Sequence, residues 1–255
     1  MARLLSHLVE SPRLCSYLPD RDATLEHRIM LETSAAELEA LLVRGWRRFG
    51  PDYFRPVCAP CNECVPTRVP TATFVPTKSQ RRARNKCGSL TAQVGPPRVD
   101  RARVELYERW HDERERSRGW SCSPIDERAY RLQFAFPHPA AREIAYYDQG
   151  PEGAGARLVG LGICDQTPCC WSAVYFFYEP TWAARSIGVA NVLFQIELAR
   201  SLGIPNVYLG YRVEGCASMS YKARFAPQEK LVGWPELDQE PHWVSASEPP
   251  VSAFL

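Results

Sequence analysis

The sequence predicts a mixed α/β protein in which helices cover a sheet, and three observations carry that expectation. Three β-branched and aromatic runs follow one another at Glu143–Asp148 (EIAYYD), Arg157–Asp165 (RLVGLGICD) and Cys170–Tyr178 (CWSAVYFFY). A helical stretch, Ser186–Leu202, closed by Gly203, leads to a further apolar run at Ile204–Tyr211. The order strand, strand, strand, helix, strand describes an α/β layer. Ahead of it, Arg44–Lys86 joins an Arg-rich turn, three cysteines at a spacing of three, and a basic run.

Taken from the N-terminus, residues 1–33 show little periodicity. Ser34 and Glu37 form a capping box that opens a helix expected to run to Phe49. Its apolar stripe is Leu38, Leu41, Leu42, Trp46 and Phe49, and Gly50-Pro51 stops it. From Arg55 to Phe74 the prolines at 56, 60, 66 and 70 exclude a helix and a central strand, so irregular extended chain is expected. Lys78–Lys86 suits a helix that is polar on every side. Gly95-Pro96-Pro97 is a break and a candidate boundary. Asp100 can cap a helix carrying Val104, Tyr107 and Trp110, and Pro124–Phe136 suits another. The expected division is therefore 1–95, bearing the cysteines and the basic run, and 96–255, bearing the α/β layer.

At 255 residues the chain is long enough for a core of normal size, so its ten cysteines are not needed as staples. The opening MARLLSHLVESPR has only a weak apolar run broken by His7 and Glu10, and no run of eighteen apolar residues occurs. A cytoplasmic protein with no membrane partner is expected, and in a reduced compartment clustered thiols favour a metal over disulfides. Cys58, Cys61 and Cys64 stand at the spacing that turns sulfurs toward one ion. The fourth ligand is Cys15 in LCSYLP, with Cys87 as the alternative; zinc and an iron–sulfur cluster both suit the set. Cys87, Cys122, Cys164, Cys169, Cys170 and Cys216 read as buried small residues.

Net charge is only +2, so basic character is local. Lys78, Arg81, Arg82, Arg84 and Lys86 form a run without an acid, able to neutralise phosphates, and Arg44, Arg47 and Arg48 are expected to extend that surface. Arg185-Ser-Ile-Gly188-Val-Ala190 lies between a strand and a helix, where backbone N–H groups face an anion and Gly188 permits close approach. That R-x-x-G-x-A pattern resembles the pyrophosphate loop of the GNAT acyltransferases. Tyr211, Tyr221, Lys222 and Arg224 follow the last strand, where ligands bind in open sheets. The five histidines are isolated and suggest no triad.

CSYLPDRDA at 15–23, RGWRRFG at 44–50, YFRPVCAPCNECVPTRVP at 53–70, FVPTKSQRR at 74–82, SAVYFFYEP at 172–180, RSIGVANVLFQIELARSLGIPNVYLGY at 185–211 and MSYKARFAP at 219–227 stand in order along nearly the whole chain. Through them the sequence resembles the bacterial aspartate/glutamate leucyltransferases, relatives of the eukaryotic arginyl-tRNA–protein transferases. The resemblance implies a GNAT-like sheet with helices, preceded by the Cys-bearing element. It also implies an aminoacyltransferase that moves leucine from leucyl-tRNA to proteins beginning with Asp or Glu, marking them for degradation through the N-degron pathway. In eukaryotic relatives a CxxC-like pair and a CC pair hold a metal or cluster. Here Leu18 and Glu63 replace two of those cysteines, while Cys15 and Cys64 match the others and Cys58 and Cys61 can stand in.

Within that reading the chemistry itself requires no cofactor, because the aminoacyl ester is already activated. Lys78, Arg81, Arg82, Arg84 and Lys86 are expected to grip tRNA, and Arg185 and Gly188 a phosphate of its 3′ end. Arg68, Lys222 or Arg224 pairs with the acceptor's acidic side chain. Tyr211 and Tyr221 orient the amine or the oxyanion, and Glu179 accepts the proton. An arginine donor is the nearest rival. A coenzyme-A-dependent N-acetyltransferase and a zinc protein that only binds RNA are more distant ones.

Overall fold

The computed structural model describes residues 2–119, 124–150 and 155–247. The chain opens with β1 (Arg3–Val9), β2 (Arg13–Leu14), β3 (Asp22–Ala23) and β4 (Leu25–Leu31). Next come α1 (Ala35–Leu42), β5 (Arg47–Phe49), β6 (Asp52–Pro56), β7 (Val65–Pro70), α2 (Lys78–Lys86) and β8 (Leu90–Gly95). The second half holds α3 (Arg101–Arg118), α4 (Glu127–Phe134), β9 (Ala141–Asp148), β10 (Arg157–Gln166), β11 (Cys170–Tyr178), α5 (Ile187–Ser201), β12 (Asn206–Arg212), β13 (Glu229–Leu231) and β14 (Trp243–Ser245).

Eight strands form the main sheet in the order β14-β13-β7-β12-β11-β10-β9-β8. Only β11 and β12 run parallel, joined across the sheet by α5. Side-chain alternation buries both faces. Ile144, Trp171 and Val207 meet Leu193 and Ile196 of α5 on one side. Ala145, Leu161 and Phe177 meet Leu106 of α3 and Tyr130 and Phe134 of α4 on the other. Burying a side chain such as Ile196 fully contributes about 1.5–3 kcal/mol, so the two helical layers hold the sheet rigid. A smaller antiparallel sheet, β1-β4-β6-β5, docks through α1, Trp46 and Tyr53 against Cys170 and Tyr208.

Two expectations need correction. The capping box at Ser34 and Glu37 is present, but α1 stops at Leu42 and Arg47–Phe49 is a strand. Gly45 turns the chain at φ 86°, where a Cβ would also lie 2.9 Å from Trp234, so the helical spacing of Trp46 and Phe49 is broken by a residue that only glycine can be. The proline-rich segment does supply an inner strand: β7 lies between β13 and β12. Pro66 and Pro70 are tolerated because β13 pairs only with Thr67 and Arg68, leaving the proline positions without a partner on that side. The lack of periodicity over residues 3–9 agrees with the structure, where they form a strand whose residues are all exposed.

Strands from both sides of Gly95–Pro97 share the main sheet, β7 and β8 coming from the first segment. Helix α2 begins at a second capping box, Thr77 with Gln80. It is not polar on every side: Gln80 and Ala83 are buried, and α2 rests on α5. Among the described residues no helix is long and apolar enough to cross a membrane.

Candidate active site

The parallel pairing of β11 and β12 lasts for three residue pairs, ending at Ser172 with Tyr208. Each strand carries a register irregularity just beyond that point, at Val174 against β10 and at Leu209 against β7. Bulges bend and twist a strand locally, and two at the same level turn the strands apart. The split opens a cavity of about 660 Å³. One wall is Ala173–Phe176 and Tyr178 of β11; the other is Leu209–Tyr211 of β12. The start of α5, with Ser186 and Gly188, closes one end, and Met219, Tyr221 and Lys222 another.

Aromatic rings line much of the wall. Trp110 of α3 lies 4.1 Å from Tyr178 by ring centroids, and the Arg114 guanidinium sits 3.8 Å over the Trp110 ring. Phe49 stands edge-on to Tyr175 at 6.0 Å. The charged residues on the lining are Arg47, Arg48, Arg114 and Lys222; among the described residues no Asp or Glu joins them. Arg48 is spent on Asp165, with Nε 3.1 Å from Oδ2 and a second contact from Nη2. Lys222 is 8 % exposed and donates from Nζ to the Tyr211 carbonyl at 2.7 Å. Burial, and then the charge of Arg47, bring its pKa down to about 7. Burial also lowers the pKa of Arg47, although part of that side chain stays open to the cavity.

At the start of α5, Ser186 adopts a left-handed conformation (φ 60°) and makes no side-chain cap. A Cβ on Gly188 would meet nothing within 4 Å, so the first turn of the helix is open to a ligand. Arg185 is exposed beside it, its guanidinium 4.3 Å over the Trp182 ring.

Of the residues singled out in the sequence, the cavity brings together Tyr211, Tyr221, Lys222 and Gly188. The Tyr211 hydroxyl is committed to the Gly45 carbonyl at 2.9 Å, which leaves it no free donor. Three of the catalytic and acceptor-binding candidates lie elsewhere. Glu179 is held by Arg109 at 3.0 Å and by Arg157, both on Oε2, and does not line the cavity. Arg68 pairs with Glu229 at 2.6 Å on the far side of β7 and stacks 4.4 Å over Trp243. Arg224 is exposed, and its carbonyl accepts from Gln80 at 2.8 Å. Lys78, Arg81, Arg82, Arg84 and Lys86 are all exposed on α2. That helix begins against Arg224 and ends against Arg185, where the Cys87 thiol reaches the Arg185 carbonyl at 3.6 Å. The surface does not continue into Arg44, which binds the carbonyls of Glu236 and Gln239, nor into Arg48, which is buried, or Arg47, which faces the cavity.

Cys15, Cys58, Cys61 and Cys64 come from two segments that meet beside the cavity residue Tyr17. Burial, then Cys58, Cys15 and Cys61 as neighbouring charges, push the Cys64 thiol up to about 12. The other three sulfurs accept N–H groups: Cys58 from Thr24 at 3.3 Å, Cys61 from Arg21 at 3.4 Å, Cys15 from Tyr17 at 3.4 Å. Such donors stabilise thiolates, and four soft sulfurs suit zinc or an iron–sulfur cluster. Among the described residues no three His, Cys, Asp or Glu side chains form a closed ligand set, so the fit is one of chemistry. Of the scattered cysteines, Cys87, Cys164, Cys170 and Cys216 are buried, Cys169 is exposed, and Cys122 lies outside the described residues.

Sequence reading missed the aromatic wall and assigned Arg47 to the basic surface instead of the cavity. Trp110 was visible as a helix position and Tyr175 and Tyr178 as strand positions, but no local pattern says that a strand will part from its neighbour.

The chain matches the family model for the N terminus of arginine-tRNA-protein transferase over residues 13–82 and that for its C terminus over 102–232. It is 30% identical to an aspartate/glutamate leucyltransferase of Helicobacter hepaticus, across 91% of this chain and 94% of that one. It is 36% identical to an enzyme of the same name from Chromohalobacter salexigens, across 91% and 92%. Among solved structures, L-PGS from Bacillus licheniformis superposes with a TM-score of 0.47 at 13% identity, covering 71% of this chain and 58% of that one.

Proposed function

The chain belongs to the arginine-tRNA-protein transferase family, on the branch of the aspartate/glutamate leucyltransferases, and we propose that it transfers leucine from leucyl-tRNA to the N-terminal Asp or Glu of acceptor proteins. The added leucine marks the acceptor for degradation through the N-degron pathway, and the reaction belongs in the cytoplasm, where charged tRNA is found. The observation that carries this reading is the composition of the cavity: aromatic and apolar walls, four cations and, among the described residues, no carboxylate. Apolar walls suit a leucyl side chain. A donated arginine would bring a guanidinium among like charges with no acid to receive it, whereas an acidic acceptor residue is complementary.

The reaction is aminolysis of an ester. The acceptor's α-amino nitrogen attacks the leucyl carbonyl, the C–N bond forms, and the ester C–O bond breaks with its electrons left on the ribose oxygen, which takes a proton. An α-amino group titrates at about 7.7–8.0, so a useful fraction is neutral and positioning supplies much of the acceleration. Lys222, with its pKa at about 7 and its Nζ on the cavity wall, is the group placed to receive the proton that the acceptor ammonium loses. Tyr221, on the same wall, is free to orient the amine or donate to the oxyanion. The open first turn of α5 and Arg185 suit a phosphate of the tRNA 3′ end, and the exposed cations of α2 suit its backbone.

Cys15, Cys58, Cys61 and Cys64 are proposed to hold zinc or an iron–sulfur cluster, which when bound supplies no reactive group and fastens residues 58–64 to the β2–β3 ribbon. Elemental analysis of the full chain checks this: metal should fall sharply in Cys64→Ser, and equal content in both proteins defeats the assignment. Transfer itself is read by mass spectrometry, offering leucyl- or arginyl-tRNA with peptides beginning Asp, Glu, Arg or Ala. Leucine should appear on the Asp and Glu peptides alone; arginine transfer, or no product, refutes the reading.

A further inference from the structure

We propose that Arg47 is the specificity-determining residue that receives the side-chain carboxylate of the acceptor's N-terminal Asp or Glu. The assignment rests on the leucyltransferase reading and adds to it the group that selects the acceptor.

The geometry is that of a wedge. Arg47 lies on β5, fixed by pairing with Phe54 of β6 and flanked in sequence by the buried Trp46 and Arg48. Its Nη2 donates to the carbonyl of Ala173, the first residue of β11 beyond the last parallel pair with β12. On the opposite wall its guanidinium rests against Gly210, where a Cβ would lie 3.5 Å from Nε and 3.6 Å from Cζ. Gly210 has φ 78°, so the strand is bent at this residue and no side chain crowds the guanidinium. Arg47 therefore occupies the floor of the split, where β11 and β12 separate.

A guanidinium has five N–H donors, and among the described residues only the Ala173 carbonyl is bonded to one of them. Among the described residues no carboxylate forms an ion pair with Arg47; Asp165 acts on it only from a distance, being bonded to Arg48 beside it. A cation this enclosed is stabilised by an anion that arrives with the substrate, and the fork geometry accepts a carboxylate through two bonds. The other cavity cations fit less well. Lys222 is turned to the Tyr211 carbonyl, and Arg114 lies flat on Trp110 with Nη2 on the Tyr178 hydroxyl at 3.2 Å. The two residues that the sequence suggested for the acceptor, Arg68 and Arg224, do not line the cavity.

The test uses the full chain, leucyl-tRNA and two peptides identical except for an initial Glu or Gln. Single-turnover conditions with protein in excess keep the slow Gln reaction measurable. In Arg47→Gln, kcat/KM for the Glu peptide should fall by about 100-fold or more while the Gln peptide changes by less than about threefold, so the ratio collapses toward one. Loss of folded protein lowers both arms equally and leaves the ratio intact. Should Arg47→Gln yield no folded protein, Arg47→Lys decides: keeping the charge but losing the fork, it should lower the Glu arm by at least about tenfold with the Gln arm unchanged. Arg114→Gln should keep the wild-type ratio. A ratio preserved in both Arg47 variants, or lost in Arg114→Gln instead, overturns the assignment. Absence of transfer to Glu by the wild-type protein refutes the leucyltransferase reading itself and is distinguishable from either result.

Discussion

Buried arginines outside the cavity are each given an acid. Arg55 donates to Glu26 at 2.7 Å and also to Glu236. Arg103 reaches Glu143 through Nε at 3.1 Å and through a second nitrogen, and also meets Asp100. Arg48, on the lining, also holds an acid, Asp165. The other three cations on the lining, Arg47, Arg114 and Lys222, meet carbonyls, a hydroxyl and ring faces but, among the described residues, no carboxylate. Counter-charge is thus supplied to the structural cations, Arg48 included, and is missing at the three cavity cations that are proposed to face a ligand. Unmatched charge is tolerated at a site because binding, rather than folding, satisfies it.

The largest effect is expected at Arg103. Glu143 is 3 % exposed and lies on β9, so Arg103→Gln leaves a buried carboxylate without its partner. Urea denaturation should show a loss of about 3–5 kcal/mol. Arg47→Gln removes no ion pair and should cost less than about 1 kcal/mol. If the two variants lose equal stability, the distinction between structural and ligand-directed cations fails.

Lys222 sharpens the comparison on the pH axis. Its folded pKa of about 7 lies below the ordinary 10.5, so the unfolded chain binds the proton more tightly. The resulting destabilisation is complete below about pH 7 and fades as pH rises toward the ordinary value. Lys222→Met should therefore raise stability at pH 6 by something on the order of 3 kcal/mol, less the lost bond to the Tyr211 carbonyl, and the gain should vanish near pH 10. The groups that face Lys222 are Arg47, Cys216 and Cys64. The same variant should remove an inflection near pH 7 from the kcat profile if Lys222 receives the proton. A gain in stability that does not change between pH 6 and pH 10 contradicts a depressed pKa.

How much of this was legible follows from the range of the contacts. The β11–α5–β12 unit is local, and its apolar patterns, Gly203 and strand lengths state it openly. Gly188, Lys222 and Tyr211, all on the cavity lining, could be singled out because positions beyond strand ends and at helix starts have chemical meaning in the sequence itself. Arg47 was singled out only as part of a basic surface, for two reasons. The stripe Leu38, Leu41, Leu42, Trp46, Phe49 keeps helical spacing through a turn that Gly45 makes non-helical. And the residue acquires its place only from Ala173 and Gly210, each more than a hundred positions away. Arg68 and Glu179 misled in the opposite sense: their partners Glu229, Arg109 and Arg157 are also distant in sequence and neutralise them.

The smallest effect on the protein, and the cleanest extension of the comparison, belongs to a third class of cation. On α2, Lys78, Arg81, Arg82, Arg84 and Lys86 are exposed, and their one carboxylate partner among the described residues is Glu197, which meets Arg84 and is itself half in solvent. Exposed pairs and free surface charges contribute little to folding, so Arg82→Gln with Lys86→Gln should change stability by no more than about 0.5 kcal/mol. If this surface carries the tRNA backbone, the same pair of changes weakens binding through counterion release. The slope of log affinity against log salt should then become shallower by about one for each phosphate no longer neutralised, about two in all, with affinity falling most at low salt. The Glu-to-Gln peptide ratio should not move if acceptor choice belongs to the cavity and tRNA capture to the helix outside it. A slope identical to that of the wild-type protein would leave α2 as a solvated face, and tRNA would then have to be held elsewhere.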